Sequence, residues 1–246
     1  MKPRSITPYN ETFFDGHIDR SLRSARAVIP VVLGLIPAKS VVDFGCGRGA
    51  WLKACLENGV ETVFGLDGDY VNRDKLLIDR DQFRTADLRG PIRLDRRFDL
   101  ALCLEVAEHL PARSARALVE SLAAAAPIVL FSAALPGQGG TSHINLQWPP
   151  YWKRLFADQG MRKYDVVRPL IWSDRSVDDY YRQNIYIYSI ESVNSLDSLE
   201  HFEPEFYLVS DYAMAYATFG WSSRGLKYLA LLRRIHSCLS RLRWNR

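Results

Sequence analysis

Gly45, Gly47 and Gly49 stand at alternate positions in VVDFGCGRGAWL (41–52), directly after a β-branched run that ends on Asp43. Glycines at a sharp strand-to-helix turn let a ligand approach the backbone, and the helix start offers unpaired N–H groups. The pattern therefore reads as a cofactor seat. Asp67, which closes the apolar run ETVFGLD, is placed to accept both hydroxyls of a ribose. A dinucleotide site shares these features, but its pyrophosphate would sit over the negative charge of Asp43, and the GxGxG spacing lacks the third small residue of that pattern. The acid favours a cationic cofactor. Asp87 in TADL suits an adenine amino group, and Glu105 in LCLEVAEHL adds a further acid at the next strand end.

Histidine is the natural base for removing a proton from an acceptor alcohol. Of five histidines, His109 follows the fourth strand and His143 lies in the long loop after the fifth, where the fold would bring both to the active edge. His17 falls in the N-terminal segment, and His201 and His236 fall near the C-terminus. The loop GGTSHINLQWPPYW and the later YYRQN supply Asn145, Gln147, Trp148, Tyr151, Arg182 and Gln183, a mixed amide and aromatic surface for a ring-shaped acceptor. Glu105, Glu108 and His109 have ExxEH spacing, and with His143 they can be read as a site for Mg²⁺ or a similar ion. A divalent cation is possible but not favoured, and no metal ligand is assigned.

Positioning these residues requires strands alternating with helices. SVVDFG, ETVFGLD, QFRTADL, FDLALCLE and PIVLFSAA read as buried strands. RGAWLKACLENG, PARSARALVESLAAAA and PPYWKRLFADQG read as helices, and the fourth-strand acid and His109 are expected to lead into a helix. YDVVRPL and NIYIYSI read as an antiparallel edge pair. The expected fold is α/β, a Rossmann-like doubly wound, mostly parallel sheet with helices on both faces and an antiparallel edge strand.

The chain has 246 residues, 48% of them apolar and 24% charged, with a net charge of +4, which fits one globular domain and gives no general reason to expect nucleic acid. Cys46, Cys55, Cys103 and Cys238 lack metal or disulfide spacing, there is no signal-peptide core, and AVIPVVLGLIPA is too short to span a bilayer. A cytoplasmic protein is expected. Residues 191–211 carry acids without a lysine or arginine, whereas 222–246 carry arginines and Lys227 without an acid and read as a basic amphipathic helix. The expected division is 1–190 as the main domain, with an N-terminal lid, and 191–246 as an extension. The extension would dock on the body, or touch the inner face of a membrane.

VVDFGCGRGAWL, VFGLDGDY, TADL and FDLALCLEVAEHLP, in this order, resemble the successive motifs of the class I S-adenosylmethionine-dependent methyltransferases, over about residues 38–135. The opening helix, GGTSHINLQWPPYW and YYRQNIYIY are similar to bacterial members that tailor sugars, polysaccharides and natural products. The resemblance implies that Gly45, Cys46 and Gly47 approach the methionine part, with Asp43 near its ammonium. Asp67 and Gly68 would serve the ribose, Asp87 and Leu88 the adenine, and Leu104 and Glu105 the sulfonium. Ser21, Arg23 and Ser24 would line a lid. The implied reaction moves a methyl group from S-adenosylmethionine, with S-adenosylhomocysteine as product, to a hydroxyl of a sugar, glycan or secondary metabolite. Methyl transfer to carbon or nitrogen of a small molecule, a non-catalytic cofactor-binding module and, last, a dinucleotide oxidoreductase are the alternatives.

Overall fold

The structure is a computed structural model that describes residues 11–190 and Leu196. Its centre is a seven-stranded sheet whose inner strands are nearly continuous runs of apolar residues, as burial on both faces requires, while the two edge strands, Phe83–Thr85 and Arg162–Tyr164, are short and polar. They are β1 (Ser40–Phe44), β2 (Thr62–Asp67), β3 (Phe83–Thr85), β4 (Leu100–Leu104), β5 (Ile128–Ser132), β6 (Arg162–Tyr164) and β7 (Tyr186–Ser189). The spatial order is β3-β2-β1-β4-β5-β7-β6. The first five strands are parallel, and β7 runs antiparallel between β5 and β6, in the register Leu130↔Ile187 and Tyr164↔Ile187. The expected doubly wound sheet with an antiparallel edge is therefore the observed one.

Successive side chains of each strand feed two cores, following the two-residue period of a strand. On one face Val41, Leu100, Leu102 and Leu130 pack with α1 (Glu11–Leu35), α2 (Ala50–Glu57), α5 (Arg168–Ile171) and α6 (Asp179–Asn184). On the other, Val42, Ala101, Cys103 and Phe131 meet α3 (Ala115–Ala125) and α4 (Pro149–Ala157). Helix α1 buries Ala25, Val28, Ile29 and Val32, a stripe at three- and four-residue spacing that Ile36 continues just past its end, and Arg26 joins it to α2 through two 2.8 Å hydrogen bonds to Glu57. Its polar side reaches the chain before α6. Arg20 donates to Asp178 at 3.1 Å, Arg23 lies 3.5 Å from the same carboxylate, and the Asp178 amide donates to the Ser24 hydroxyl at 3.0 Å.

Three elements differ from the sequence reading. The strand expected over YDVVRPL starts earlier, at Arg162, and Arg168–Ile171 is helical because Pro169 in a first helical turn loses no hydrogen bond. The segment after β4 is a single 3₁₀ turn, Ala107–His109, so His109 does not stand on a helix. The alanine-rich helix opens with a 3₁₀ turn, Ala112–Ser114.

Cys46, Cys55 and Cys103 are buried and free. Among the described residues, no helix is long and apolar enough to cross a membrane. Cys238, His201, His236 and the basic stretch 222–246 lie outside the described residues, as does nearly all of the expected extension 191–246.

Candidate functional site

Between β1 and β4 the chain leaves the sheet in opposite directions, which opens a crevice at the strands' carboxyl ends. A cavity of about 340 Å³ occupies it. Asp43, Gly45, Cys46 and Gly47 come from the turn after β1, and Leu104, Glu105, Glu108 and His109 from the turn after β4. His143 and its neighbours come from the loop after β5. Ser21 and Arg20 of α1 and Tyr180 and Tyr181 of α6 close the sides. Thus eight of the residues expected to serve cofactor or catalysis converge.

The turn after β1 is held by the Gly45 and Cys46 amides, which both donate to the Leu66 carbonyl, at 2.7 and 3.1 Å. Gly45 has φ +89°, and a Cβ there would lie 2.3 Å from Val106 Cγ2, so backbone of one turn passes directly against the side chain of the other. Asp43 is 2% exposed, and burial, followed by the charge of Asp67, pushes its carboxyl well above the usual range. Burial also raises the Cys46 thiol, which makes it a packing group rather than a nucleophile. Asp43, Glu105 and Glu108 all border the cavity, a donor set matched to a cation and not to a pyrophosphate. The methionine end of the expected cofactor, with its ammonium and sulfonium, fits these residues.

The ribose end is arranged differently. Asp67 accepts from the Gly47 and Gly68 amides and from the Tyr70 hydroxyl, each at 2.6 Å, and lies outside the cavity lining. Burial raises its pKa while these hydrogen bonds oppose the shift, with that of Tyr70 foremost. A ribose hydroxyl at Asp67 would compete with the phenol for this carboxylate. Asp87 is exposed and paired with Arg89 at 2.7 Å, and Leu88 is buried in the core on the α3 face. Neither lines the cavity.

Around the turn after β4, Glu105 adopts φ +55°, unusual for a residue with a Cβ. Asn184 and Gln138 each donate to its carboxylate at 3.1 Å, and Asn184 also donates to the Gln138 side chain at 3.0 Å. Burial raises the pKa of Glu105 against these bonds, and raises that of Glu108 much further, with the charge of Glu105 adding to the shift. The pair thus favours fewer than two negative charges. His109 and His143 meet edge to face with ring centroids 4.9 Å apart. Burial, then His143, lowers the pKa of His109 to about 4, and burial also lowers that of His143. Both rings are neutral at neutral pH.

The residues expected to bind substrate take other places. Asn145 is buried and donates to the Ala107 carbonyl at 3.3 Å, while Gln147 donates to Asn145 at 3.1 Å. Tyr151 is half-buried with its ring against Trp152, and Trp148 is 43% exposed. Arg182 binds Asp179 and the Trp172 carbonyl, and Gln183 is buried. None of the six lines the cavity. Of the expected lid residues, Ser21 lines it, and Arg23 and Ser24 secure the chain at 176–178. Sequence reasoning missed Tyr180, Tyr181, Asn184 and Gln138. The first three belong to α6, whose start was visible as Asp178 and Asp179 before a polar-aromatic stretch.

A family model described as a methyltransferase domain matches residues 14–165. Among solved structures, the chain is similar to S-adenosylmethionine-bound CalS10, an amino pentose methyltransferase from Micromonospora echinaspora involved in calicheamicin biosynthesis. The identity is 15%, over 76% of this chain and 100% of that one, with a TM-score of 0.55. It is also similar to DesVI of Streptomyces venezuelae, at 15% identity over 74% and 96% of the two chains and a TM-score of 0.53. At these identities the likeness is one of fold. No curated protein sequence matches the chain.

Proposed function

Because the chain belongs to the methyltransferase-domain family, as a class I S-adenosylmethionine-dependent methyltransferase, we propose that it methylates a hydroxyl of a sugar, glycan or secondary metabolite. The supporting observation is that the cavity holding the acid-lined cofactor end also holds the neutral His109–His143 pair. When bound, S-adenosylmethionine supplies an electrophilic methyl group on a cationic sulfur.

In this reading, Asp43 faces the ammonium, the Gly45–Gly47 backbone passes along the methionine chain, and Leu104 and Glu105 flank the sulfur. Asp67 and Gly68 receive the ribose once Tyr70 has turned away, and Asp87 and Leu88 serve the adenine. His143 and His109 would assist removal of the proton from the acceptor oxygen, readying it for the methyl group that the bound cofactor would supply, with S-adenosylhomocysteine as the other product. Ser21, Tyr180 and Tyr181 exclude water from the reacting atoms. Asn145 and Gln147 act by holding the loop of His143, and the exposed Trp148 and half-buried Tyr151 would meet only an acceptor that extends beyond the cavity. The main domain spans 1–190, in the cytoplasm, with 191–246 as an extension.

The test is incubation with methyl-labelled S-adenosylmethionine and a panel of hydroxylated sugars, glycans and secondary metabolites, with the product identified by NMR. A methyl ether, formed by the native chain and lost in His143→Ala at unchanged cofactor affinity, is the expected result. Label found on nitrogen or carbon would move the assignment to those acceptors. Cofactor binding without transfer to any acceptor would make the chain a binding module.

A further inference from the structure

The cavity wall opposite the glycine turn carries a group that methyl transfer by a histidine base leaves unused. Glu108 is 0% exposed and lines the cavity, and its carboxylate, set against that of Glu105 and near the Ala134 backbone, has no partner of good hydrogen-bond geometry for either oxygen. A buried carboxylate in that condition is costly unless a cation or a proton compensates it. One donor atom from each of Glu108, His109 and His143 lies within 4.8 Å of the other two.

The backbone holds this arrangement from outside. Both the Ile144 and Asn145 amides donate to the Glu108 carbonyl, at 2.8 and 3.0 Å, and the Asn145 side chain donates to the Ala107 carbonyl. The loop carrying His143 is thereby pinned to the turn carrying Glu108 and His109. His143 Nδ1 lies 3.4 Å from the Gln138 carbonyl oxygen, and His109 is engaged by the backbone at Thr141 and Ser142. Ligating imidazoles are commonly oriented in this way, with one ring nitrogen on backbone and the other toward the ion. Gly140 makes room for the ring, since a Cβ there would lie 2.2 Å from His143 Nε2.

We propose that Glu108, His109 and His143 bind a divalent transition-metal ion of the manganese-to-zinc series at the cavity wall. Two imidazoles and one carboxylate suit such an ion, whereas Mg²⁺ prefers an all-oxygen set. Three protein ligands leave coordination positions open to the cavity. The consequence for catalysis rests on the O-methyl reading: an acceptor hydroxyl bound to the ion becomes more acidic, and the histidines promote loss of its proton by holding the metal.

The test uses the full chain, stripped of metal by chelator and dialysed, and titrated with Co²⁺ by calorimetry and by visible absorption. One Co²⁺ per chain is expected, with a d–d band, and at least a tenfold weaker affinity in Glu108→Gln and in His143→Ala. Asp43→Asn, in the same cavity, keeps the band. Absence of a saturable band, or variants that bind as the native chain does, would overturn the site. The measurement needs neither cofactor nor acceptor, so Co²⁺ binding in a chain that methylates nothing would sink the functional reading and leave the site standing. Full O-methylation in the presence of chelator would sink the catalytic use of the ion while leaving the O-methyl reading intact.

Discussion

The Tyr70 hydroxyl donates to Asp67 at 2.6 Å, so a phenol occupies part of the carboxylate to which the proposed function assigns the ribose hydroxyls. Cofactor affinity therefore reports an exchange of one hydrogen-bond donor for another. Tyr70→Phe removes the competitor and is expected to hold or increase affinity for S-adenosylhomocysteine. Asp67→Ala removes the acceptor and should weaken it at least ~tenfold, on the order of 1.4 kcal/mol. Calorimetry on both variants decides the matter, and equal losses in the two would contradict the exchange.

Gly45 should tolerate no side chain. Gly45→Ala forces a Cβ into a positive-φ position and against Val106, with an expected loss of about 1–3 kcal/mol of stability and of cofactor affinity. Adding Val106→Ala relieves the contact but not the backbone strain, so the double variant should recover only part of the loss in urea denaturation.

Asp43 sets a pH dependence. Its pKa is raised by burial and by Asp67, so the folded protein without ligand holds the proton to higher pH than an unfolded chain does. This contribution to stability is complete at low pH and is lost as pH rises through the elevated pKa. A ligand bearing an ammonium has the opposite demand, because it binds the ionised acid. Affinity for S-adenosylhomocysteine should then fall as pH is lowered through the raised pKa of Asp43, and Asp43→Asn should flatten the profile. A native profile identical to that of the variant would refute the role.

Arg168 is fully buried and makes a two-pronged pair with Asp165, at 2.8 and 2.6 Å, while donating to the Gln183 carbonyl at 2.9 Å and lying over the Tyr186 ring. Arg168→Ala strands the Asp165 charge and should cost about 3–5 kcal/mol, whereas a paired apolar replacement of both residues should cost far less. Because Gln183 precedes Asn184, which donates to Glu105, the single variant should also lower turnover.

The central βαβ frame was legible because the buried parallel strands β1, β2 and β4 leave nearly unbroken apolar runs, each ending close to an acid. The same logic located Asp43, Gly45, Glu105, His109 and His143, all of which meet in one cavity. What stayed hidden depends on contacts between segments distant in sequence. Nothing local shows that Tyr70 will fold back on Asp67, or that Glu105 will take a left-handed backbone conformation held by Gln138 and Asn184. Asn145 looked like an acceptor contact because it is polar in a glycine-flanked loop, but its amide is consumed in fixing that loop. Arg168–Ile171 read as strand because Val166 and Val167 precede it, while the proline signal at its start pointed to a helix.

Asp178 joins the two helices, α1 and α6, that close the sides of the cavity. Its carboxylate meets Arg20 and Arg23 from α1 and the hydroxyl of Tyr180 at 2.9 Å, and its amide meets Ser24. The two walls of the chamber are consequently mortised together through one joint, so neither can be retuned by substitution at that position without altering the other.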